Sequence, residues 1–133
     1  MSVLAVIPAR GGSKGIKKKN IINVAGKPLI YWSIAAARQS KVIDRLVVST
    51  DDDEIASVAL DLGCEVLMRP AELAGDTAKG YLTVIHAIKE MPGFEWVMLL
   101  QPTSPLRSAD DIDGAFYFCL ERNAPSAVTI SEV

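Results

Sequence analysis

Apolar and polar positions alternate along the chain in a way that predicts strand and helix in turn. The run "VLAVIPA" (3–9) is continuously apolar, as a strand covered on both faces requires. In "PLIYWSIAAARQS", Pro28 suits the first turn of a helix, and Ile30, Ile34 and Ala37 supply one apolar side. "RLVVSTD" (45–51) predicts the second strand. Asp51 or Asp52 then suits a helix N-cap, Ile55, Val58, Ala59 and Leu62 follow the i, i+3, i+4, i+7 spacing, and Gly63 ends the helix. "EVLMR" (65–69) is a third strand. A helix follows from about Lys79 to Met91, with Tyr81, Val84, Ile85 and Ile88 on its apolar face and Pro92 and Gly93 after it. "WVMLLQ" (96–101) is a fourth strand. Ser108 and Asp111 form a capping box for a helix carrying Ile112, Ala115, Phe116 and Cys119, and "SAVTIS" (126–131) is a fifth strand.

Such alternation, with apolar strands, predicts an α/β fold: a Rossmann-like three-layer α/β/α arrangement around a mostly parallel sheet. In these sheets ligands bind outside the carboxyl ends of the strands. That rule selects the segments after Pro8, after Arg69 and after Leu100. They are also the three chemically unusual stretches of the chain. There are no internal repeats or low-complexity linkers, and the chain stops directly after the fifth strand, so it is expected to be part of a longer protein truncated at its C-terminus.

Composition narrows the classes. The 133 residues suffice for one domain, 50% are hydrophobic and 23% charged, and the net charge is −2. A general attraction to nucleic acid or to an anionic membrane is not expected. No apolar run approaches a membrane span, and "MSVLAVIPAR" lacks the basic start of a signal peptide, so a cytoplasmic location is expected. Cys64 and Cys119 have no CxxC partner and read as buried thiols. The one histidine, His86, has no ligand-spaced neighbour, which argues against zinc.

Positive charge is nevertheless concentrated in "IPARGGSKGIKKKNI" (7–21): Arg10, Lys14, Lys17, Lys18 and Lys19 are five of the 14 basic residues. Glycines let backbone N–H groups close around an anion, and the side chains add full charge, a combination suited to a polyphosphate. The P-loop signature is absent, since no Gly-Lys-Ser/Thr occurs. The dinucleotide fingerprint is absent too: Gly11, Gly12 and Gly15 do not make GxGxxG, and the helix waits until about Pro28. Asp51 stands where a ribose-binding acid would sit in that fold, but is read instead as a helix-capping or first-turn acid. A solvated charge run on a surface loop is the plain alternative. Its place at the sheet's binding edge, with no polar spacer after the strand, favours a phosphate site.

"IPARGGSKGIKKKNI", "GKPLIYWSI", "VVSTDDDEIA", "RPAELAGDTA" and "LLQPTSPLR", in this order over the whole chain, resemble the acylneuraminate cytidylyltransferases (CMP-sialic acid synthetases), with their relatives acting on pseudaminic and legionaminic acids. The resemblance implies a CTP-dependent transferase that moves CMP from CTP to the anomeric hydroxyl of a nine-carbon sialic-type sugar acid, with Mg2+ as cofactor, releasing pyrophosphate. It implies that Arg10 and Lys19 are the catalytic cations, with Arg10 gripping phosphate in two-pronged fashion and Lys19 offering a compact charge. Ala9, Arg10, Ser13, Lys14, Asn20, Arg69, Ala78, Gly80 and Gln101 become nucleotide contacts. Gln101, Thr103, Ser104 and Arg107 become sugar contacts, Arg107 by charge logic toward a carboxylate. Family members commonly carry a small hydroxyl residue near position 80, where this chain has glycine, and often proline at position 17, where it has lysine. Lys17 and Lys18 then read as solvated charges.

"DDID" (110–113) looks like a metal pair but reads better as first-turn acids behind a capping serine. By the resemblance, the metal-binding acids and the segment that builds a homodimer lie beyond Val133, leaving residues 1–133 as the nucleotide-binding part of a single domain. Three other readings stay open: a cytidylyltransferase for another sugar acid such as KDO, a dinucleotide-binding oxidoreductase domain, and a nucleotide-binding fragment without catalysis.

Overall fold

A computed structural model describes residues 2–11, 21, 23–70, 80–101 and 109–121. Four strands form one parallel sheet: β1 (Val3–Pro8), β4 (Arg45–Thr50), β5 (Glu65–Met68) and β6 (Trp96–Leu99). Their order is β5-β4-β1-β6. Leu4 pairs with Arg45 and Pro8 with Ser49 on one side of β1, and Val3 pairs with Trp96 on the other. The chain therefore steps from β1 out to β4 and β5, then returns to the far side of β1. Strand order reverses at the β1/β6 boundary, and the carboxyl ends of both strands open on the same edge.

β1 is central, and its alternating side chains supply both cores. Ala5 and Ile7 pack with Ile30 and Ile34 of α1 (Leu29–Gln39), Ile55 and Ala59 of α2 (Asp53–Asp61) and Ile112 of α4 (Ala109–Glu121). Leu4 and Val6 pack with Ala87 of α3 (Gly80–Glu90) and with Leu67, Phe94 and Leu99. Three helices thus cover one face and α3 the other, which is the expected three-layer arrangement. Each fully buried aliphatic side chain contributes about 1.5–3 kcal/mol. That explains why β1, whose Val3 to Ile7 are all 0–1% exposed, is the mechanical centre of the fold.

Most elements lie where the pattern predicts, and three differences have physical causes. Pro28 does not enter the first helical turn. It occupies the N-cap position with extended backbone (φ −56°, ψ 147°) and belongs to a small antiparallel hairpin, β2 (Asn23–Val24) with β3 (Lys27–Pro28). Ala25 (φ 52°) and Gly26 (φ 89°) make the tight turn. An alanine with positive φ is an unusual first turn residue, so the sequence carries only half of a hairpin signal. Trp32 of α1 donates from Nε1 to the Val24 carbonyl at 2.9 Å and fastens the hairpin to the helix.

The second difference is the face of α3. Thr83 and Ala87 are buried, whereas Ile85 (43% exposed) and Ile88 (48%) face outward, so the predicted apolar stripe is not the packed one. The third concerns the two aspartates after β4. Asp52 is the N-cap, accepting from Ile55 N–H at 3.1 Å, and Asp51 is not a cap at all. The predicted stop at Gly63 is observed with φ 78°, where Cys64 N–H returns to the Ala59 carbonyl at 3.0 Å. Cys64 is buried, as expected. The Ser108 cap, the strand at 126–131 and the Cys119 side chain lie outside the described residues.

Candidate functional site

The carboxyl edge of the sheet is built by four strand ends in succession. Each ladder runs one step past its strand: Ala9 N–H bonds the Ser49 carbonyl at 2.9 Å, Arg69 N–H the Thr50 carbonyl at 2.9 Å, and Leu100 N–H the Val6 carbonyl at 2.9 Å. The backbone is therefore fixed up to the residues that leave the edge: Arg10 and Gly11 after β1, Asp51 and Asp52 after β4, Arg69 after β5 and Gln101 after β6. Ala9 is fully buried, Arg10 half-buried and Gln101 exposed. The described first residues of the three segments selected from the sequence leave from one edge.

Arg69 is the unusual member. It is 7% exposed, and its Nη1 donates to the hydroxyl of Thr83 in the first turns of α3. Its Nε has no hydrogen-bond partner among the described residues. Burial lowers its pKa below the ordinary arginine range; the carboxylate of Asp51 opposes that shift, and the like charge of Arg10 adds to it. Two guanidinium groups thus feel each other across a partly dehydrated edge. An anion placed there would relieve both the repulsion and the unmet donor.

Asp51 and Gly11 complete the arrangement. Gly11 N–H donates to Asp51 Oδ1 at 3.0 Å, a bond between residues 40 apart in sequence that ties the loop after β1 to the loop after β4. Gly11 also lies directly against the α2 N-terminus: a Cβ on Gly11 would stand 2.7 Å from the Cβ of Asp52. Only glycine allows that approach. Asp52 itself is held by Thr50, whose buried Oγ1 accepts from Asp52 N–H at 3.1 Å.

Of the site residues read from the sequence, Ala9, Arg10, Arg69 and Gln101 come together here. Gly80 opens α3, three residues before the Thr83 that holds Arg69. Lys19, Ser13, Lys14, Asn20, Ala78, Thr103, Ser104 and Arg107 lie outside the described residues, as do Lys17 and Lys18. Sequence reading placed Gly11 in the basic loop without its tie to Asp51, read Asp51 as a capping acid, and missed Thr83. The only signal for Thr83 was a polar residue where the helix pattern tolerated an apolar one. Asp51 was hidden by standing beside a second aspartate able to cap.

Of the "DDID" acids, Asp113 is engaged between helices. Asp113 accepts from the Ser40 hydroxyl and, at 2.9 Å, from Lys41 N–H, joining α4 to the end of α1. Asp110 and Asp111 stand in the exposed first turn of α4. Among the described residues no group of three or more His, Cys, Asp or Glu is placed to hold a metal ion.

A family model for cytidylyltransferases matches residues 4–133. The chain belongs to the cytidylyltransferase family. Over 110 residues it is 40% identical to an N-acylneuraminate cytidylyltransferase of Escherichia coli O18:K1:H7, an alignment that takes in 83% of this chain and 26% of that protein. Over 117 residues it is 46% identical to a CMP-N,N'-diacetyllegionaminic acid synthase of Legionella pneumophila, covering 84% of this chain and 50% of that protein. The chain spans at most about half the length of these relatives. Its fold is shared by a CMP:2-keto-3-deoxy-manno-octonic acid synthetase complexed with CTP, at a TM-score of 0.83, 22% identity, 93% of this chain and 49% of that one. In a cytidylyltransferase chain Asp51 is not needed as the ribose acid of a dinucleotide fold, and its carboxylate is already engaged by Gly11.

Proposed function

We propose that the protein carrying this chain transfers CMP from CTP to the anomeric hydroxyl of a nine-carbon sialic-type sugar acid. The hydroxyl oxygen attacks the α-phosphorus, a new P–O bond forms, the bond to the bridging oxygen breaks, and pyrophosphate leaves with its electron pair. The hydroxyl proton passes to solvent. Charge accumulates on the bridging and phosphoryl oxygens, so fixed cations at the site supply the main stabilisation.

One observation carries the reading. Arg69 is buried at the sheet edge, with an Nε donor unmet among the described residues, alongside a second guanidinium from the loop after β1. A site organised in this way is suited to an anion with several oxygens. The choice of nucleotide and sugar acid is supported by the similarity to N-acylneuraminate and legionaminic acid enzymes at 40% and 46% identity. In this reading Arg10 and Lys19 face the phosphates, and Ser13, Lys14 and Asn20 complete the loop. Arg69 joins them as a nucleotide contact, with Ala78 and Gly80 near the base, and Gln101, Thr103, Ser104 and Arg107 lie toward the sugar.

Magnesium belongs to the proposal as a cation brought in with the triphosphate, since Mg2+ is commonly held by substrate phosphates and only one or two carboxylates. A homodimer and a cytoplasmic location are further parts of it. Among the described residues no helix is long and apolar enough to cross a membrane.

The test is pyrophosphate release from CTP and Mg2+ by the full-length protein, with N-acetylneuraminic, legionaminic and pseudaminic acids and KDO as acceptors. The expected result is turnover with at least one nine-carbon acid, at least tenfold faster than with KDO. Turnover only with KDO would move the assignment to that acceptor, and no release with any acid would overturn it.

A further inference from the structure

Asp51 sits where a carboxylate is electrostatically out of place. It is half-buried at the carboxyl end of β4, on the edge that carries Arg10 and Arg69, and its charge opposes any phosphate arriving there. Helix capping does not account for it, because Asp52 fills that role for α2. What Asp51 does hold is Gly11. Its Oδ1 takes the Gly11 N–H at 3.0 Å, at the point where the basic loop leaves β1. Gly11 is in turn confined by Asp52, so the first step of the loop is held from two sides. The same carboxylate favours the charged form of Arg69, which burial disfavours.

We propose that Asp51 is a positioning residue of the triphosphate site: through the Gly11 N–H it fixes where the loop after β1 departs from the sheet, in register with Arg69. The proposal rests on the CTP reading above. Asp51 touches no reacting atom. It acts through Gly11 and Arg69, so that CTP meets a loop whose starting direction is already set, and the ordering cost at binding is smaller. The unfavourable effect of its charge on phosphate is outweighed by that preorganisation.

The sign of one measurement separates this from a bystander carboxylate. CTP and CMP are titrated calorimetrically into the full-length protein and into Asp51→Ala and Asp51→Asn. Loss of the Gly11 acceptor in Asp51→Ala is expected to weaken CTP at least fivefold and to reduce the preference for CTP over CMP. Asp51→Asn keeps an oxygen for the Gly11 N–H and is expected to bind CTP within fivefold of the wild type. A bystander would give the opposite result, with tighter CTP binding once a negative charge leaves an anion site. Equal or tighter CTP binding by Asp51→Ala, or an unchanged CTP/CMP preference, overturns the proposal. Should Asp51→Ala fail to fold, Asp51→Ser takes its place, since its shorter side chain withdraws the acceptor from the Gly11 N–H: CTP binding weakened at least fivefold supports the proposal, and anything less overturns it. Failure of the wild type to bind CTP removes the function proposed above, and this inference with it. Wild-type binding with an indifferent Asp51→Ala removes this inference only.

Discussion

A Cβ on Gly11 would lie 2.7 Å from the Cβ of Asp52, so the start of the basic loop and the N-cap of α2 occupy touching positions with no room for a side chain between them. The Asp52 Cβ is anchored to the backbone and cannot swing away as the tip of a lysine could. Gly11→Ala is therefore expected to force the two segments apart. Overpacking of this kind costs about 1–3 kcal/mol. Chemical denaturation should show that loss, and CTP affinity should fall with it because the displaced segment carries Arg10. Unchanged stability would mean that the two loops separate freely.

Thr83 provides the hydroxyl that accepts from Arg69 Nη1. Thr83→Val preserves shape and removes the acceptor, leaving a buried guanidinium whose Nε already lacks a partner among the described residues. Hydrogen bonds to charged groups contribute about 1.5–3 kcal/mol, and the variant should lose stability in that range. Binding of CTP should recover part of it, since the anion supplies the missing acceptor, so the ligand-induced rise in Tm should be larger in Thr83→Val than in wild type. Thr83→Ser should behave as wild type in both respects.

The layers and the sheet edge were legible in the sequence because their signal is local. Continuous apolar runs announce covered strands, and Ile30, Ile34, Ile55 and Ala59 point inward as their spacing requires. What escaped depends on contacts between distant segments. Ile85 and Ile88 are as apolar as any core residue, yet α3 presents Thr83 and Ala87 to the sheet. Thr83 is drawn inward by Arg69, which is 14 residues away along the chain. Asp51 and Asp52 are indistinguishable as capping residues by sequence alone, and only the approach of Gly11, 40 residues earlier, separates their tasks. The hairpin escaped because Ala25 holds a positive φ without the glycine or asparagine that usually marks one.

Asp113 joins α4 to the end of α1 through the Ser40 hydroxyl and the Lys41 N–H. Asp113→Ala leaves both donors without their acceptor at a largely buried site, and a loss of about 2 kcal/mol is expected. Asp113→Asn, which keeps one acceptor oxygen, should lose less. Because the side chain is spent on structure rather than on a metal, the stability gap between wild type and Asp113→Ala should be the same with and without Mg2+. A gap that widens in Mg2+ would show that Asp113 holds a cation.

Burial pushes the Cys64 thiol up to about 11. The folded state therefore keeps its proton longer than the unfolded chain does. Stability contributed by this group is complete below the ordinary thiol range and declines as pH rises from about 9 toward 11. Denaturation midpoints measured across that interval should fall for wild type and fall less for Cys64→Ala. At pH 8 only about one thiol in a thousand would be ionised, so alkylation of Cys64 in the folded protein should be far slower than in the unfolded chain.

The central claim is that the carboxyl edge of this sheet takes the triphosphate of CTP. It is tested most directly by calorimetric titration of CTP, and separately of NADH, into the full-length protein and its Arg10→Ala and Arg69→Ala variants. Saturable CTP binding, weakened tenfold or more by either substitution, with no binding of NADH, is the predicted result. CTP binding that both variants leave unchanged, or tight NADH binding without any for CTP, would contradict it.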